Sequence, residues 1–380
     1  MQKNKIDFSI MIYVDEFFNF LLKKKINFFT GVPDSVLELF LERISKLNKK
    51  RHVETFNEGS AVSLAIGYNL ATKKIPCVYL QNSGLGNALN PLISIAHPKV
   101  YSVPILLLIG WRGSPYVKKD EPQHNEKGKI TREMLRLLGI KFLVIRTKKS
   151  FTKISKLLDF AKKQNRPVAL LIERNIFQSR RKSKRKNLDN KGIKREIVIR
   201  ELLKKISKKT KIVSTTGYTS RELFQIRKNE NIKVGKDFYM IGGMGHSLMV
   251  SLGISMNENG EVICLDGDGS LLMHFGSIRT SGIFGKKNLK HVVFNNYCHE
   301  SVGGQRTFSE NLSFTKVAKN LGYKNIFQIR NKLHLKSQIL KFLKSKGPSM
   351  LEIITNIGTI NNLKRPYDFI QIKKDFMKKK

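Results

Sequence analysis

The sequence has few acidic residues, few cysteines and no long apolar run. Its 380 residues include 29 Asp and Glu against 71 Lys and Arg, which gives a formal net charge of +42. The three cysteines, Cys77, Cys264 and Cys298, are odd in number and widely spaced, so we expect neither a disulfide framework nor a zinc motif of closely spaced cysteines. The longest apolar run, at 103–111, is far shorter than the roughly 20 residues that a bilayer requires, and the apolar stretch at 8–14 lacks a cleavage site. We therefore expect a reduced, cytoplasmic protein with no membrane segment and no signal peptide.

The excess of positive charge invites a nucleic-acid-binding interpretation. Most lysines, however, lie on the polar faces of predicted helices, and no helix-turn-helix, zinc finger or interleaved aromatic and basic strand is visible. A lysine-biased composition explains the charge equally well, so a basic nucleic-acid-binding protein on a degenerate scaffold stays a remote alternative. The densest basic runs, 179–186 and 373–380, are predicted to be a linker and a tail.

Short β-like runs alternate with helical periodicity along the whole chain, which is typical of parallel α/β sheets. Five strands are predicted in the first half, near residues 26–31, 75–81, 103–110, 141–145 and 167–173. Five more are predicted in the second half, near residues 211–216, 237–242, 261–266, 291–296 and 348–355. Between them the composition becomes basic and almost free of apolar residues. We predict tandem α/β domains at 1–177 and 196–380, joined by a linker at 178–195.

Two polar motifs follow neighbouring strands of the second half. Gly267-Asp268-Gly269-Ser270 follows a buried strand, and Asn295-Asn296 ends the next one. A dinucleotide-binding fingerprint is excluded, because Leu272 stands where that motif needs glycine. Gly-Asp-Gly alone could be a simple tight turn. Ligands of parallel sheets bind beyond the carboxyl ends of the strands, so the two motifs together predict a magnesium diphosphate site, with Ser270 as N-cap of the next helix.

This pair of motifs, with Asn296 placed 28 residues after Asp268, resembles the magnesium-diphosphate motif of thiamine diphosphate enzymes. The resemblance implies that Asp268, Asn296 and the main-chain oxygen of Cys298 bind Mg²⁺, and that thiamine diphosphate is the cofactor. Upstream, "IGGMGHS" at 241–247 resembles the family segment that bends the cofactor. By that resemblance Met244 is the apolar wedge and the Gly242 carbonyl faces the aminopyrimidine ring; the alternative for Met244 is an ordinary core position. The implied cofactor-binding residues are Gly242, Met244, Gly267, Asp268, Gly269, Ser270 and Asn296.

Thiamine chemistry also needs a desolvated carboxylic acid beside the aminopyrimidine ring. Glu58 is the candidate, because it stands at a strand-to-helix junction before a helix of small apolar residues. A glutamate stabilised by the helix dipole is the alternative. In the family this glutamate and the diphosphate site usually come from different subunits. The resemblance therefore implies a first domain that binds the pyrimidine, a second that binds the diphosphate, and at least a homodimer with active sites at the subunit interface.

The sequence has only a basic linker in the place of a middle domain. In this it resembles the short members of the family, which act on phosphonopyruvate or sulfopyruvate. "FFTGVPDS", "NEGSAVSLAIGY", "YLQNSGLGNALNPL", "LLLIGWRG", "DEPQH" and "GGMGHS" resemble the phosphonopyruvate decarboxylases over nearly the whole chain. The resemblance implies decarboxylation of 3-phosphonopyruvate to phosphonoacetaldehyde and carbon dioxide in phosphonate biosynthesis of the 2-aminoethylphosphonate type. Decarboxylation of sulfopyruvate or another 2-oxo acid with the same cofactor is the alternative.

Polar residues at other strand ends are candidates for substrate and proton handling. Arg112 follows a strand, and Gln123 and His124 are expected in the next loop. Arg112 is alternatively a surface residue, and Asp34 alternatively caps a helix. The candidate substrate-binding residues are Asn82, Arg112, Gln123, His124, His299 and Gln305. The candidate catalytic residues are Glu58, Asp34 and His246.

Overall fold

A computed structural model describes residues 12–117, 120–180 and 192–378. The chain divides into two compact units, residues 1–185 and 186–380. Each unit contains one six-stranded parallel sheet, which confirms the predicted tandem α/β fold. Within the described ranges, no helix is long and apolar enough to cross a membrane.

The first unit alternates strands and helices from its first described residue. In chain order its elements are β1 (Ile12–Tyr13), α1 (Val14–Lys23), β2 (Phe29–Gly31), α2 (Glu38–Ile44), β3 (His52–Glu54), α3 (Glu58–Thr72), β4 (Cys77–Gln81), a 3₁₀ turn (Asn82–Gly84), α4 (Leu85–Pro91), a π-helical turn (Leu92–Ala96), β5 (Leu106–Gly110), α5 (Pro122–Leu137), β6 (Lys141–Ile145), α6 (Ser150–Gln164), β7 (Val168–Ile172) and β8 (Phe177–Gln178). The short strands β1 and β8 pair in parallel outside the main sheet.

The second unit repeats this alternation. Its elements are α7 (Arg195–Leu203), β9 (Lys211–Ser214), α8 (Tyr218–Asn229), β10 (Lys236–Tyr239), α9 (Ser247–Asn257), β11 (Val262–Gly267), α10 (Asp268–Met273), α11 (Ser277–Phe284), β12 (Leu289–Asn295), β13 (Cys298–His299), a 3₁₀ turn (Glu300–Val302), β14 (Gln305–Arg306), α12 (Phe314–Asn320), β15 (Asn325–Ile329), α13 (Leu335–Lys344), β16 (Ser349–Ile354) and α14 (Phe369–Met377). The strands β13 and β14 form a small antiparallel hairpin outside the main sheet.

The two sheets have the same strand order. It runs β3-β2-β4-β5-β7-β6 in the first unit and β10-β9-β11-β12-β16-β15 in the second, with parallel pairing throughout. The order reverses direction between β2 and β4, and likewise between β9 and β11. Ligands of open parallel sheets bind in the crevice at such a switch point, beyond the carboxyl ends of the strands.

Apolar clusters lie on both faces of each sheet, so the central strands are buried on two sides. This burial explains their nearly continuous apolar sequences, such as Leu106–Gly110, in which every residue is buried. Helix α3 packs small residues of its first turns, including Ala61 and Ala65, into one of these clusters. Its start is fixed by Asn57, whose side chain accepts hydrogen bonds from the N–H groups of Gly59 (2.8 Å) and Ser60 (3.4 Å).

Several sequence-based predictions of local structure were wrong. The ten predicted strands do not include β3 and β15, which are edge strands with polar residues and incomplete burial. The predicted linker at 178–195 begins and ends in folded elements, since Gln178 lies in β8 and the buried Arg195 begins α7; its residues 181–191 lie outside the described ranges. The predicted C-terminal tail is helical as far as Met377, because Phe376 packs against Phe238 of β10.

Candidate active site

The carboxyl edge of the second sheet brings Asp268 and Asn296 to one cleft. Asp268 begins α10 directly after β11, and Asn296 follows the neighbouring strand β12. Both side chains are buried, at 3% and 5% exposure. The space around these side chains, with the open solvent at its mouth, is about 530 Å³. Its lining includes Thr215, Met244, Gly267, Asp268, Gly269, Ser270, Asn296, Cys298, His299 and Glu300.

Two hydroxyl groups that the sequence did not single out hold Asp268. The Thr307 hydroxyl donates to Oδ2 at 2.5 Å and the Ser309 hydroxyl donates to the same oxygen at 3.1 Å. Burial raises the pKa of Asp268 to about 6, and these hydroxyls together with backbone N–H groups of Gly269 and Tyr297 act in the opposite direction. No lysine or arginine of the described residues forms an ion pair with this carboxylate. A buried carboxylate without a cationic neighbour fits a site that is completed by a metal ion.

A buried ion-pair network orients Asn296. The Asn296 amide donates to Glu300 Oε2 at 3.1 Å, and the Asn296 Oδ1 accepts from the Cys298 N–H at 3.2 Å. Arg195 lies 3.4 Å from the same Glu300 oxygen and donates to Glu222 at 2.6 Å. The carboxamide therefore has a fixed orientation. Carboxylate, carboxamide and main-chain oxygens are the donors that Mg²⁺ prefers, so the residues present fit this metal.

Ser270 does not cap a helix as predicted. Helix α10 begins at Asp268 with Gly267 as its N-cap, so Ser270 already lies inside the first turn. Its hydroxyl hydrogen-bonds the Thr215 hydroxyl at 2.9 Å and accepts from the Gly245 N–H at 3.1 Å. These bonds fasten the loop that contains Gly242 and Met244 beside the Gly-Asp-Gly turn, and Met244 lines the cleft.

Gly269 makes room for a histidine. A Cβ atom at this position would lie 2.5 Å from Cε1 of His299, so the ring packs directly on the glycine backbone. His299 is buried, and desolvation lowers its pKa to about 4, which leaves the ring neutral. Gln305 is its partner in the β13–β14 hairpin, and Gln305 Oε1 has no hydrogen-bond partner in the described part of the chain. The structure thus brings the two candidate residues together near Asp268.

His246 is exposed and lies outside the lining of the cleft. Its ring stacks on that of His274, with the centroids 4.3 Å apart. His274 was not predicted from the sequence, and its pKa is lowered by burial and by the charge of His246. Gly245 permits this stacking because a Cβ there would lie 2.5 Å from the His274 ring.

In the first unit, Glu58 is the first residue of α3 and is 5% exposed. Its Oε2 accepts a hydrogen bond of 2.7 Å from the Asn87 side chain. A Cβ on Gly84 would lie 2.2 Å from Glu58 Oε1, so only glycine leaves room for this carboxyl group. Burial raises the pKa of Glu58, while Asn87 and the charge of Lys127 oppose the shift. Burial therefore favours the protonated form of this carboxyl group.

Asp34 follows β2 at the switch point and is completely buried. Burial raises its pKa to about 7, against the opposing charge of Arg112. Its Oδ2 accepts from the Val36 N–H at 3.1 Å, whereas its Oδ1 has no partner among the residues that the structure describes. Because α2 begins only at Glu38, with Leu37 as its N-cap, Asp34 is not the cap of that helix. Glu54, which the sequence did not single out, ends β3 and has its pKa raised to about 7 by burial.

Arg112 is held by Asp120 through hydrogen bonds of 2.8 Å and 3.4 Å. Gln123 and His124 are not in a loop as predicted but in the first turn of α5, which Pro122 begins. Burial, and next the charge of Arg112, lowers the pKa of His124 to about 4. Its Nδ1 is buried and makes no hydrogen bond within the described ranges.

The carboxamide of Asn82 joins two elements of this edge. It donates to the Arg112 carbonyl at 3.0 Å and to the Thr131 hydroxyl at 2.9 Å, and it accepts from the Arg112 N–H at 3.1 Å. Both amide hydrogens are thus already used. Asn82 fixes the chain after β5 against α5, so any contribution to the substrate is through the position of Arg112.

Family models and known proteins match this chain over most of its length. Residues 11–130 match the family described as "Thiamine pyrophosphate enzyme, N-terminal TPP binding domain", and residues 215–353 match the corresponding C-terminal TPP binding domain. A protein of Streptomyces viridochromogenes named phosphonopyruvate decarboxylase is 30% identical over 88% of this chain and 86% of its own length. A sulfopyruvate decarboxylase of Methanosarcina acetivorans is 23% identical over 81% of this chain and 83% of its own. The sulfopyruvate decarboxylase subunit beta of Methanocaldococcus jannaschii is 35% identical over 35% of this chain and 69% of its own.

Proposed function

The chain belongs to the thiamine pyrophosphate (thiamine diphosphate) enzymes that decarboxylate 2-oxo acids, and we propose that its substrate is 3-phosphonopyruvate. The products would be phosphonoacetaldehyde and carbon dioxide. The relative named phosphonopyruvate decarboxylase supports this choice, because it is more similar to this chain than the relative named sulfopyruvate decarboxylase that matches at comparable coverage.

The charge around His124 is the observation that carries the proposed substrate. Besides burial, three positive charges lower the pKa of this residue, those of Arg112, Lys127 and Arg174. The negative charge of Asp120 raises it. The charge of Lys127 also opposes the burial that raises the pKa of Glu58, so the positive charge extends along the carboxyl edge of the first sheet. Phosphonopyruvate carries a carboxylate and a phosphonate. An electropositive edge with buried, desolvated groups favours binding of such a multiply charged anion.

The residues around the second cleft would hold the cofactor. Asp268, Asn296 and the main-chain oxygen of Cys298 would bind Mg²⁺, with Gly267, Gly269 and Ser270 beside the diphosphate. Gly242 and Met244 would contact the aminopyrimidine side. When bound, thiamine diphosphate supplies the electron sink for the electron pair left behind as carbon dioxide departs.

The residues of the first unit would handle protons and orient the substrate. Glu58 would hold a proton at its buried carboxyl group, as its raised pKa allows. Asp34, whose pKa is raised to about 7, can both hold and release a proton near neutrality. Arg112, Gln123 and His124 would bind the phosphonate, with His299 and Gln305 near the metal. His246 is a further candidate for proton transfer.

We also propose an active unit of at least a homodimer, located in the cytoplasm and serving phosphonate biosynthesis of the 2-aminoethylphosphonate type. The three free, buried thiols are compatible with a reducing compartment. A mixture of Glu58→Gln chains and Asp268→Ala chains tests the shared site. Recovery of activity on mixing supports active sites built from two subunits, whereas a mixture as inactive as its components argues against them.

A substrate panel tests the proposed reaction. The purified protein, supplied with thiamine diphosphate and Mg²⁺, is given phosphonopyruvate, sulfopyruvate and pyruvate in parallel, and carbon dioxide release is measured. We expect the highest kcat/KM for phosphonopyruvate. Release from sulfopyruvate or pyruvate with none from phosphonopyruvate would overturn the proposed substrate but leave the decarboxylase class intact.

Sulfopyruvate is the second candidate substrate, because several relatives are named sulfopyruvate decarboxylase or its subunits. A sulfonate carries one negative charge, whereas a phosphonate can carry two. Replacing a cationic residue should therefore weaken the binding of phosphonopyruvate more than the binding of sulfopyruvate. We expect Arg174→Gln to raise KM for phosphonopyruvate by a larger factor than KM for sulfopyruvate; equal factors would favour a site that does not select by charge.

A further inference from the structure

A second cluster of reactive side chains lies inside the core of the second unit. Cys264 and Asp266 are two residues apart on β11, so their side chains emerge on the same face of the sheet. His291 on β12 is the direct neighbour of Cys264 in the strand register. One potential ligand atom from each residue lies within 4.8 Å of the others, and all three residues are completely buried.

The polar atoms of this cluster are incompletely satisfied. Asp266 Oδ1 accepts a hydrogen bond of 2.9 Å from the Gly267 N–H. Asp266 Oδ2 and His291 Nε2 face each other at 3.4 Å, yet neither makes a hydrogen bond to any residue that the structure describes. Burying a carboxylate oxygen and an imidazole nitrogen without hydrogen bonds is unfavourable, and a partner that binds both atoms would remove this cost.

The separation of these two atoms is that of two ligands of one ion. With ligand bonds of about 2.0–2.1 Å, the edge of a tetrahedral site is roughly 3.3–3.4 Å long. His291 Nδ1 lies 3.3 Å from the Tyr323 hydroxyl, which matches the outer hydrogen bond that orients most histidine ligands. We propose that Cys264, Asp266 and His291 bind a zinc-class divalent transition-metal ion, separate from the Mg²⁺ site of the cleft.

The chemistry of the donor set supports a transition metal over Mg²⁺. A thiolate and an imidazole are ligands that Zn²⁺ and Co²⁺ bind readily and that Mg²⁺ does not. Ser247 and Ser251 of α9 lie against the Cys264 sulfur, so a hydroxyl or a water molecule can complete four-coordination. The ion would tie β11 to β12 directly behind Asp268, where it would stabilise the second unit without contacting the substrate.

Metal analysis of the purified protein tests the proposal. Protein expressed in zinc-supplemented medium and purified without chelator should contain about one zinc-class ion per chain. Cys264→Ser and His291→Gln should lose most of it, whereas Cys77→Ser, at a buried cysteine of the equivalent strand β4, should retain it. If Cys77→Ser loses as much of the bound ion as Cys264→Ser and His291→Gln do, the proposal is overturned.

A measurement on the unmodified chain guards against variants that fail to fold. Protein stripped with a chelator and refolded with Co²⁺ should bind one equivalent and show a thiolate-to-cobalt charge-transfer band. Asp268→Ala should keep this band while losing thiamine diphosphate binding, because it removes a ligand of the cleft alone. Absence of both bound zinc and cobalt uptake in the wild type, or loss of the band in Asp268→Ala, would overturn the assignment.

Discussion

The two units share one strand order but surround their carboxylates with different groups. At the carboxyl edge of the first sheet, Asp34 and Glu58 are buried and Glu54 is half-buried, and desolvation raises the pKa of each. At the equivalent edge of the second sheet, Asp268 is also buried but is surrounded by donors such as the Thr307 hydroxyl. The strand order decides where the side chains meet. The surrounding donors oppose the effect of burial on the pKa of Asp268, and we propose that they prepare this carboxylate for a metal ion rather than a proton.

The correspondence extends to individual positions. Asn82 follows β4 and Asp268 follows β11, which are equivalent strands of the two sheets. Arg112 follows β5 closely, as Asn296 follows β12. The first unit therefore carries Asn82 and a cation where the second carries Asp268 and Asn296, and we propose that the second edge binds Mg²⁺ and the first an anionic substrate.

The strongest test of this division compares Glu58→Gln with Asp268→Ala. We expect Glu58→Gln to lower kcat by roughly a thousandfold, because the amide cannot donate and accept the proton, while thiamine diphosphate affinity stays near that of the wild type. Asp268→Ala should instead abolish Mg²⁺-dependent cofactor binding. Calorimetric titration of the cofactor and steady-state kinetics measure both effects; loss of cofactor affinity in Glu58→Gln would break the comparison.

The raised pKa of Asp34 in the first unit predicts a pH dependence of stability. The pKa of Asp34 is about 7 in the folded protein against an ordinary value of 3.8, so the folded state binds the extra proton between these pH values. Stability should therefore fall as the pH rises from about 4 to 7, by on the order of 4 kcal/mol for this group. Urea unfolding across this range should show a shallower fall for Asp34→Asn. Identical slopes for wild type and variant would contradict the raised pKa.

The space for Glu58 can be removed without changing its charge. In Gly84→Ala the added methyl group would meet Glu58 Oε1 at 2.2 Å, so the carboxyl group must move. A displacement of about 1 Å at a reacting group can cost roughly a hundredfold in kcat, which is the effect we expect. Gly86→Ala is the matched control, because a Cβ there meets nothing within 4 Å. An active Gly84→Ala enzyme would show that the position of Glu58 is not critical.

The proposed Mg²⁺ site of the second unit would depend on the donors behind Asp268. Thr307→Val removes the 2.5 Å hydrogen bond to Oδ2 but keeps the shape of the side chain. Loss of such an outer contact typically weakens metal affinity at least tenfold, so the Mg²⁺ concentration for half-maximal activation should rise by about that factor. Thr315→Val, at a buried threonine whose hydroxyl pairs with Ser313, should leave it unchanged. Equal effects of the two substitutions would indicate a general loss of stability.

Much of the fold could be predicted because burial leaves a direct mark on sequence. The central strands are apolar along their length, and the helix of small apolar residues predicted at Glu58 is observed as α3. The edge strands β3 and β15 carry polar residues and left no such mark. Arg195 was predicted to lie in a linker because a buried arginine that pairs with Glu222 has the same letter as an exposed one.

By itself, the sequence determined the family, the two α/β halves and the places of Glu58, Asp268 and Asn296. Such residues lie next to strand ends, and strand ends are local features of the chain. Only the tertiary structure decided which groups surround them. The Thr307 hydroxyl hydrogen-bonds Asp268 although 39 residues separate the two in the chain, and His291 of β12 lies 3.4 Å from Asp266 of the neighbouring strand β11. Desolvation and hydrogen bonding depend on these distant neighbours, so the pKa of each carboxyl group was set by the fold.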